Sequence, residues 1–338
     1  MAKTIILALP YLYGLDQCIE KNLRYLGYDV INLCYDDSRS YYPTILHHIK
    51  SWLIKLFYGR AKYKEYEKSK TYSRYADDIE YKLSLLGNKK ADFALCIRAN
   101  VYPKSLISLI RENTKTCVNF QWDGIDSHPD ILEYMEYFDR FFVFDPNDIK
   151  KYPQYALRHI TNFYFDYDIP QATQSTAALF FLGGHQASRV GQIKDFIAKA
   201  KTLDLLLDFY IVAKDKRARI AFDSDPAIHY VHSSQAFSFE QNLYKVQESC
   251  VVVDFLNTVD QGLSFRSFDA LRFDKKLITT NMTVVEYDFY HPNNILVWQE
   301  NTTAEELAQF LALPYQPIPY EIKQKYSFSA WLKHILYS

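Results

Sequence analysis

Short apolar runs alternate with helix-patterned segments along this chain, and the alternation stops once and then starts again. Thr4 to Leu9 is a continuous apolar run, Leu15 to Leu26 repeats apolar residues at helical spacing up to Gly27, and Asp29 to Cys34 is apolar again. A strand, a helix and a strand joined this tightly make a βαβ unit. Phe93 to Ile97, Cys117 to Trp122 and Arg140 to Phe144 are further short strands, separated by helical patterns at Lys104 to Glu112 and Asp130 to Phe138. Such alternation predicts a parallel sheet covered by helices on both faces.

The break is the polar, proline-containing stretch 166–176, which has no period and reads as a linker. After it the pattern restarts. Strands are predicted at Ala177 to Leu182, Leu205 to Val212, Ile228 to Val231, Cys250 to Phe255, Lys276 to Thr279 and Ile295 to Val297. Helices are predicted at Val190 to Ala200, Glu240 to Val246 and Ser267 to Arg272. Two successive Rossmann-like α/β halves follow, an acceptable division for 338 residues, too many for one ordinary core. The first domain is expected at 1–165, the second at 177–315 and a closing amphipathic helix within 316–338.

Composition narrows the function classes. Hydrophobic residues make up 49% and aromatics 17%, and 39 Lys+Arg against 40 Asp+Glu leave a formal charge of −1, which excludes a disordered chain and an overall basic nucleic-acid binder. No apolar run approaches the roughly 18 residues a membrane-crossing helix needs. The N-terminal MAKTIILALPYLYG reads as a first buried strand, with a signal peptide as the alternative. Five scattered cysteines without a CxxC pair fit a reducing cytoplasm and no structural zinc.

In open parallel sheets ligands bind beyond the carboxyl ends of strands, where helix N-termini offer free N–H groups to anions. The most telling loop runs from Asp254, at the end of a buried strand, to Leu271. Gly262 permits a close turn, Ser264 can cap, Arg266 lies in the first helical turn beside Ser267, and Asp269 sits three residues beyond Arg266. N–H groups, a hydroxyl and a guanidinium suit a diphosphate, and a deeper carboxylate suits ribose hydroxyls. A plain helix cap with an i,i+3 ion pair is the bland alternative. All four glycines of the second half, Gly183, Gly184, Gly191 and Gly262, fall in this loop or in the one after the first strand of the same domain.

Gly262 to Leu271, followed by KKLITTN at Lys275 to Asn281, resembles the C-terminal domain of GT-B glycosyltransferases. The likeness is strongest to CgeB-like and related bacterial surface-polysaccharide transferases, whose segment runs G-[LM]-[ST]-x-R-x-[FI]-[DE]-[AV]-L. FFLGGHQASR at Phe180 to Arg189 is similar to that family's first C-domain strand and phosphate-side loop. The resemblance covers roughly residues 177–298. It implies two Rossmann-like domains facing across a cleft, with a nucleotide-sugar donor contacted by Gly183, Ser264, Arg266 and Asp269 and its diphosphate neutralised by Arg189; Gly184, Gly262 and Ser267, beside them in the sequence, join the candidate donor site. It also implies a glycan or lipid-linked glycan acceptor on the first domain, and a C-terminal helix crossing back to that domain. Because such enzymes stabilise the leaving diphosphate with helix dipoles and basic residues, no essential metal or other cofactor is expected.

A second constellation follows a strand of the first half. Asp123, Asp126 and His128 are expected at the cleft, where a carboxylate or imidazole can take the acceptor hydroxyl's proton, with Asp123 or Asp126 the expected base; turn-forming Asx residues are the alternative. Ser127 with Asp130 reads as a capping box. His232 is a candidate for the donor's base. Asp166/Asp168 and Asp223/Asp225 are chance Asp-x-Asp matches in loops. From Lys50 to Lys70 seven Lys/Arg are interleaved with aromatic and aliphatic residues, which suits either an anionic membrane surface or a solvated face packed on the sheet. The sequence therefore leads to a cytoplasmic or membrane-peripheral glycosyltransferase, with a sugar-nucleotide epimerase or a non-catalytic nucleotide or glycan binder as alternatives. An NAD(P) dehydrogenase is disfavoured, because the first loop, Pro10 to Gly14, lacks GxGxxG.

Overall fold

The computed structural model describes residues 2–36, 44–256 and 261–338. The chain divides into two units, Met1–Ile160 with Leu332–Ser338, and Thr161–Trp331. In the first, β1 (Thr4–Ala8), β2 (Asp29–Asn32), β3 (Ala91–Ile97), β4 (Thr114–Gln121), β5 (Arg140–Val143) and β6 (Leu157–His159) form one sheet in the order β2-β1-β3-β4-β5-β6. Every pairing is parallel. The crossovers carry α1 (Leu15–Tyr25), α2 (Ile45–Tyr72), α3 (Ala76–Ser84), α4 (Lys104–Glu112) and α5 (Pro146–Lys151). β1 is uncharged and apolar, and Ile5 to Leu9 are fully buried, as a central strand covered on both faces requires.

The second unit holds β7 (Leu179–Gly184), β8 (Leu207–Ala213), β9 (Ile228–His232), β10 (Val251–Asp254), β11 (Lys276–Thr279) and β12 (Ile295–Val297). Their order is β12-β11-β10-β7-β8-β9, again parallel throughout. Counted within the unit this is the doubly wound 3-2-1-4-5-6 order, so the chain reverses direction across the sheet between β7 and β10. Its helices are α6 (Val190–Lys201), α7 (Arg217–Ala221), α8 (Phe239–Glu248), α9 (Phe265–Arg272), α10 (Ala304–Ala312), α11 (Tyr320–Gln324) and α12 (Phe328–Tyr337), whose last residues belong to the first unit. Reciprocal capping boxes start α8 (Ser238 with Gln241) and α10 (Thr303 with Glu306). Lys276, in a buried strand, donates to the carbonyls of Phe310, Leu311 and Leu313 at 2.5–3.1 Å and so satisfies the end of α10.

Three segments differ from the sequence expectation. Pro129–Tyr137 is a 3₁₀ rather than an α helix; its apolar residues recur every third position (Ile131, Tyr134, Tyr137), which a three-residue turn brings onto one face. The helix expected across the C-terminal tail is two, α11 and α12. The stretch 166–176 belongs to the second unit: Asp166 accepts the Ser329 N–H at 2.6 Å, Tyr167 is buried, and the Thr176 N–H donates to the Glu248 carbonyl. Just before it, Phe163 and Phe165 pack edge-on with Phe265, Phe239 and Phe328. Part of the aromatic excess is thereby spent on holding the start of α9. No helix of the described residues is long and apolar enough to cross a membrane.

Candidate functional site

Where the chain reverses in the second unit, the carboxyl ends of β7 and β10 lie side by side with the N-terminus of α9. Asp254 ends β10 with 2% exposure, and its Oδ1 accepts from Arg266 Nε at 2.8 Å and Nη2 at 2.7 Å. Thr279 Oγ1 donates to the other carboxylate oxygen at 3.4 Å. Arg266 Nη1 donates to the Leu182 carbonyl of β7 at 3.0 Å, so one guanidinium ties both strand ends to the helix. The preceding loop is pinned from below: Asn281 Nδ2 donates to the carbonyls of Gln261 (3.0 Å) and Gly262 (3.2 Å), and Asn162 Nδ2 to that of Leu263 (2.9 Å). Ser264 is the N-cap residue of α9, yet its buried hydroxyl has no hydrogen-bond partner among the described residues. The first N–H groups of the helix have no acceptor within it and bring its positive end to this point.

The two glycines of β7 are there for different reasons. A Cβ on Gly183 would stand 2.6 Å from the Phe181 ring and 3.2 Å from Arg189 Nη1, whereas one on Gly184 would meet nothing within 4 Å. Gly183 is therefore a packing requirement, and it brings the nine-tenths-buried Arg189 close against the strand end. Gly184 leaves open space there.

The remaining donor-site candidates are buried within α9 or engaged in the turn after β9. Ser267 and Asp269 are each 1% exposed, inside a helix buried on every side from Ser267 to Leu271. Both Asp269 oxygens lack a hydrogen-bond partner among the described residues, and burial pushes the carboxyl up to about 7 despite Arg272 and Arg266 nearby. His232 caps the turn after β9: its Nδ1 accepts the Ser234 N–H at 3.2 Å, and its Nε2 lies 3.2 Å from the Lys214 carbonyl. Of the Asp-x-Asp residues, Asp223 pairs with Lys194 and Asp225 with Lys201.

In the first unit, the loops after β3 and β4 meet α2 around a cavity of about 330 Å³, whose lining includes Lys64, Lys68, Arg98, Asn100, His128 and Asp130. Arg98, held at a left-handed φ of 51°, places Nη1 3.2 Å from Asp123 Oδ2, and His128 Nε2 lies 3.6 Å from the same oxygen. Burial and the Arg98 charge hold the imidazole below its ordinary value, so it is neutral near pH 7. Asp126 is apart from this group, paired with Lys151 and with Tyr152 Oη (2.8 Å). The expected Ser127–Asp130 capping box does not form. His128 is the residue before the 3₁₀ helix and no side chain caps it, while Asp130 accepts from Asn100 Nδ2 at 3.1 Å and Lys68 Nζ at 3.4 Å. Two polar residues from distant segments outcompete a local cap.

No protein-family model and no curated protein matches the sequence. Solved structures do match the architecture. A UDP-forming alpha,alpha-trehalose-phosphate synthase from Burkholderia vietnamiensis aligns over 99% of this chain and 96% of its own, with a TM-score of 0.55 at 10% identity. A trehalose-6-phosphate synthase studied with bisubstrate glycomimetics aligns over 98% of each chain, with a TM-score of 0.55 at 11% identity. The fold is GT-B. S. aureus TarM aligns over 76% of this chain at 12% identity and a TM-score of 0.49, and there the chain spans 58% of its neighbour's length.

Within this GT-B chain the described residues contain no group of three or more His, Cys, Asp or Glu side chains able to hold a metal. Sequence reasoning gave Asp130 a capping role instead of its place at the first-unit cavity, and assigned no role of their own to Lys68, which also lines that cavity, or to Asn162 and Asn281, which brace the α9 loop. Asn281 lies within the KKLITTN segment and was legible there as part of a pattern. The roles of Lys68 and Asn162 depend on partners 62 and 101 residues away.

Proposed function

We propose that this chain is a glycosyltransferase that moves a sugar from a nucleotide-diphosphate donor to a hydroxyl of a glycan. The observation that carries the reading is the β7–β10 switch point, where the α9 N-terminus, Ser264 and the open side of Gly184 converge on the end of a Rossmann sheet. In this reading those groups, with Arg189 and Gly262, receive the diphosphate, and Arg266 braces them while keeping two N–H groups to offer. The leaving diphosphate is then stabilised by helix dipole and cations, and no residue is assigned to a metal. The GT-B neighbours, among them a UDP-forming synthase, support a nucleotide sugar as the donor class. The resemblance of Gly262 to Asn281 to surface-polysaccharide transferases supports a bacterial surface glycan, of lipopolysaccharide or capsule type, as the product.

On the first unit the polar cavity takes the acceptor. His128, neutral near pH 7, removes the hydroxyl proton as the sugar's anomeric carbon is attacked; Asp123, fixed by Arg98, stabilises the imidazolium that results. A thermal-shift screen of nucleoside diphosphates and nucleotide sugars tests the donor half, and a set in which none raises the melting temperature rejects it. Release of nucleoside diphosphate only when acceptor is added identifies transfer; conversion of the nucleotide sugar to an isomer with no acceptor and no net release of diphosphate identifies the epimerase alternative. His128→Gln is expected to lower turnover by about 10²–10⁴ with donor affinity kept. Arg98→Met removes one of the three influences that depress the imidazole, the others being burial and Lys64, and is expected to move the acidic limb of the pH profile upward.

A further inference from the structure

The α2 segment is a helical hairpin. Gly59, at φ 80° and ψ 179°, breaks it, and the halves fold back on each other. Lys55 Nζ lies 5.3 Å from the Tyr63 ring centroid, Lys50 Nζ 5.6 Å from that of Tyr66, and Ser51 Oγ donates to Glu67 Oε1 at 2.8 Å. The second half faces the unit and lines the polar cavity with Tyr63, Lys64, Glu67 and Lys68.

The first half shows solvent its apolar side. Leu46, Ile49, Trp52, Leu53, Leu56 and Phe57 recur at i, i+3, i+6, i+7, i+10 and i+11, a single stripe on a helix, and all are 38–74% exposed. A stripe this long and this open is uncommon on a soluble surface. Its surroundings indicate what covers it. From Thr44 to Lys64 there is no acidic residue, while Lys50, Lys55, Arg60, Lys62 and Lys64 supply five positive charges, although the chain as a whole is at −1. The stripe also carries a tryptophan, and Tyr58, 71% exposed, stands at the bend. Aliphatic and aromatic residues in a cationic, acid-free setting complement an anionic bilayer surface.

We propose that the first helix of this hairpin lies in the interface of an anionic lipid bilayer, which brings the cavity lined by the second helix to an acceptor carried on lipid. Binding to lipid follows from the hairpin alone; only what the cavity receives rests on the glycosyl-transfer reading. The purified full chain is floated with vesicles of equal parts phosphatidylglycerol and phosphatidylcholine, and with phosphatidylcholine vesicles alone. Binding to the first set that weakens with added salt is expected, with little binding to the second. The exposed-residue variant Trp52→Ser/Leu56→Ser/Phe57→Ser is expected to keep its circular dichroism and its nucleotide-dependent melting shift, and to lose at least about tenfold in partitioning. A second variant, Lys55→Gln/Arg60→Gln/Lys62→Gln, tests the charge term and is expected to lose the preference for phosphatidylglycerol. The proposal is overturned by failure to bind anionic vesicles, by equal binding of the serine variant, or by sedimentation showing a dimer that the serine variant abolishes. Any of these leaves the nucleotide shift, and hence the donor reading, standing.

Discussion

The two sheets use their carboxyl edges in opposite ways. In the second unit the charged groups at the strand ends are consumed internally: Asp254 is neutralised by Arg266, and Arg266 also satisfies a strand carbonyl. What that edge leaves available is mostly backbone, a glycine and a helix N-terminus. In the first unit the strand-end loops put whole side chains, Arg98, Asn100, His128 and Asp130, around a cavity beside a helix brought in from outside the sheet. A backbone-built edge held by a buried brace suits an invariant group such as a diphosphate. A side-chain-built cavity can be retuned for different acceptors without disturbing the strands.

If the brace is what holds the second edge, cutting it is the largest perturbation available. Asp254→Ala leaves the Arg266 guanidinium largely buried without its carboxylate, and is expected to cost about 3 kcal/mol of unfolding free energy, read from urea denaturation. The glycines sharpen the same point at smaller cost. Gly183→Ala forces a methyl against the Phe181 ring and is expected to destabilise by about 1–3 kcal/mol. Gly184→Ala is expected to leave stability essentially unchanged and to weaken nucleotide binding, measured calorimetrically. Equal stability of the two variants would remove the distinction between packing glycine and binding glycine.

Asp269 tests whether the buried side of α9 is structural. Its carboxyl, pushed up to about 7, binds its proton more tightly than an unfolded aspartate does. Between about pH 4 and pH 7 the unfolded chain therefore releases a proton that the folded chain keeps, and stability falls as pH rises, with the full loss above pH 7. Asp269→Asn removes that dependence. It is expected to stabilise the protein more at pH 8 than at pH 5, by a difference on the order of 2 kcal/mol in paired denaturation curves.

The strands of the second unit were legible because buried parallel strands are bare apolar runs; Lys276–Thr279 and Ile295–Val297 stand where their residues predict. The α/β class followed from that alternation. β6, three residues reading Leu-Arg-His, carries no period and is a strand only because β5 lies beside it. α10 went unread although Thr303 and Glu306 form a capping box ahead of Leu307 and Phe310, a signal that was present. The candidate sites were less legible for a physical reason. Ser-x-Arg-x-x-Asp at a helix start identifies polar residues but not the face they occupy, and burial of α9 on all sides turned Ser267 and Asp269 inward. Likewise Asp130 looked like a local cap because its partners, Asn100 and Lys68, arrive through the fold.

The smallest expected effect separates the two aspartates that the sequence left equivalent. Asp126 is exposed and held by Lys151 and Tyr152, a surface arrangement worth little to folding. Asp126→Asn is therefore expected to leave both melting temperature and transfer unchanged. Asp123→Asn keeps shape but removes the charge that faces both Arg98 and His128, and so lowers the preference for imidazolium over imidazole. It is expected to reduce turnover while donor affinity, measured by calorimetry, stays the same, and to shift the acidic limb of the pH profile downward, opposite to Arg98→Met. If Asp126→Asn were the variant that lost turnover, the base would lie on the Lys151 side of the loop, and the cavity lined by His128 would lose its assignment to the acceptor.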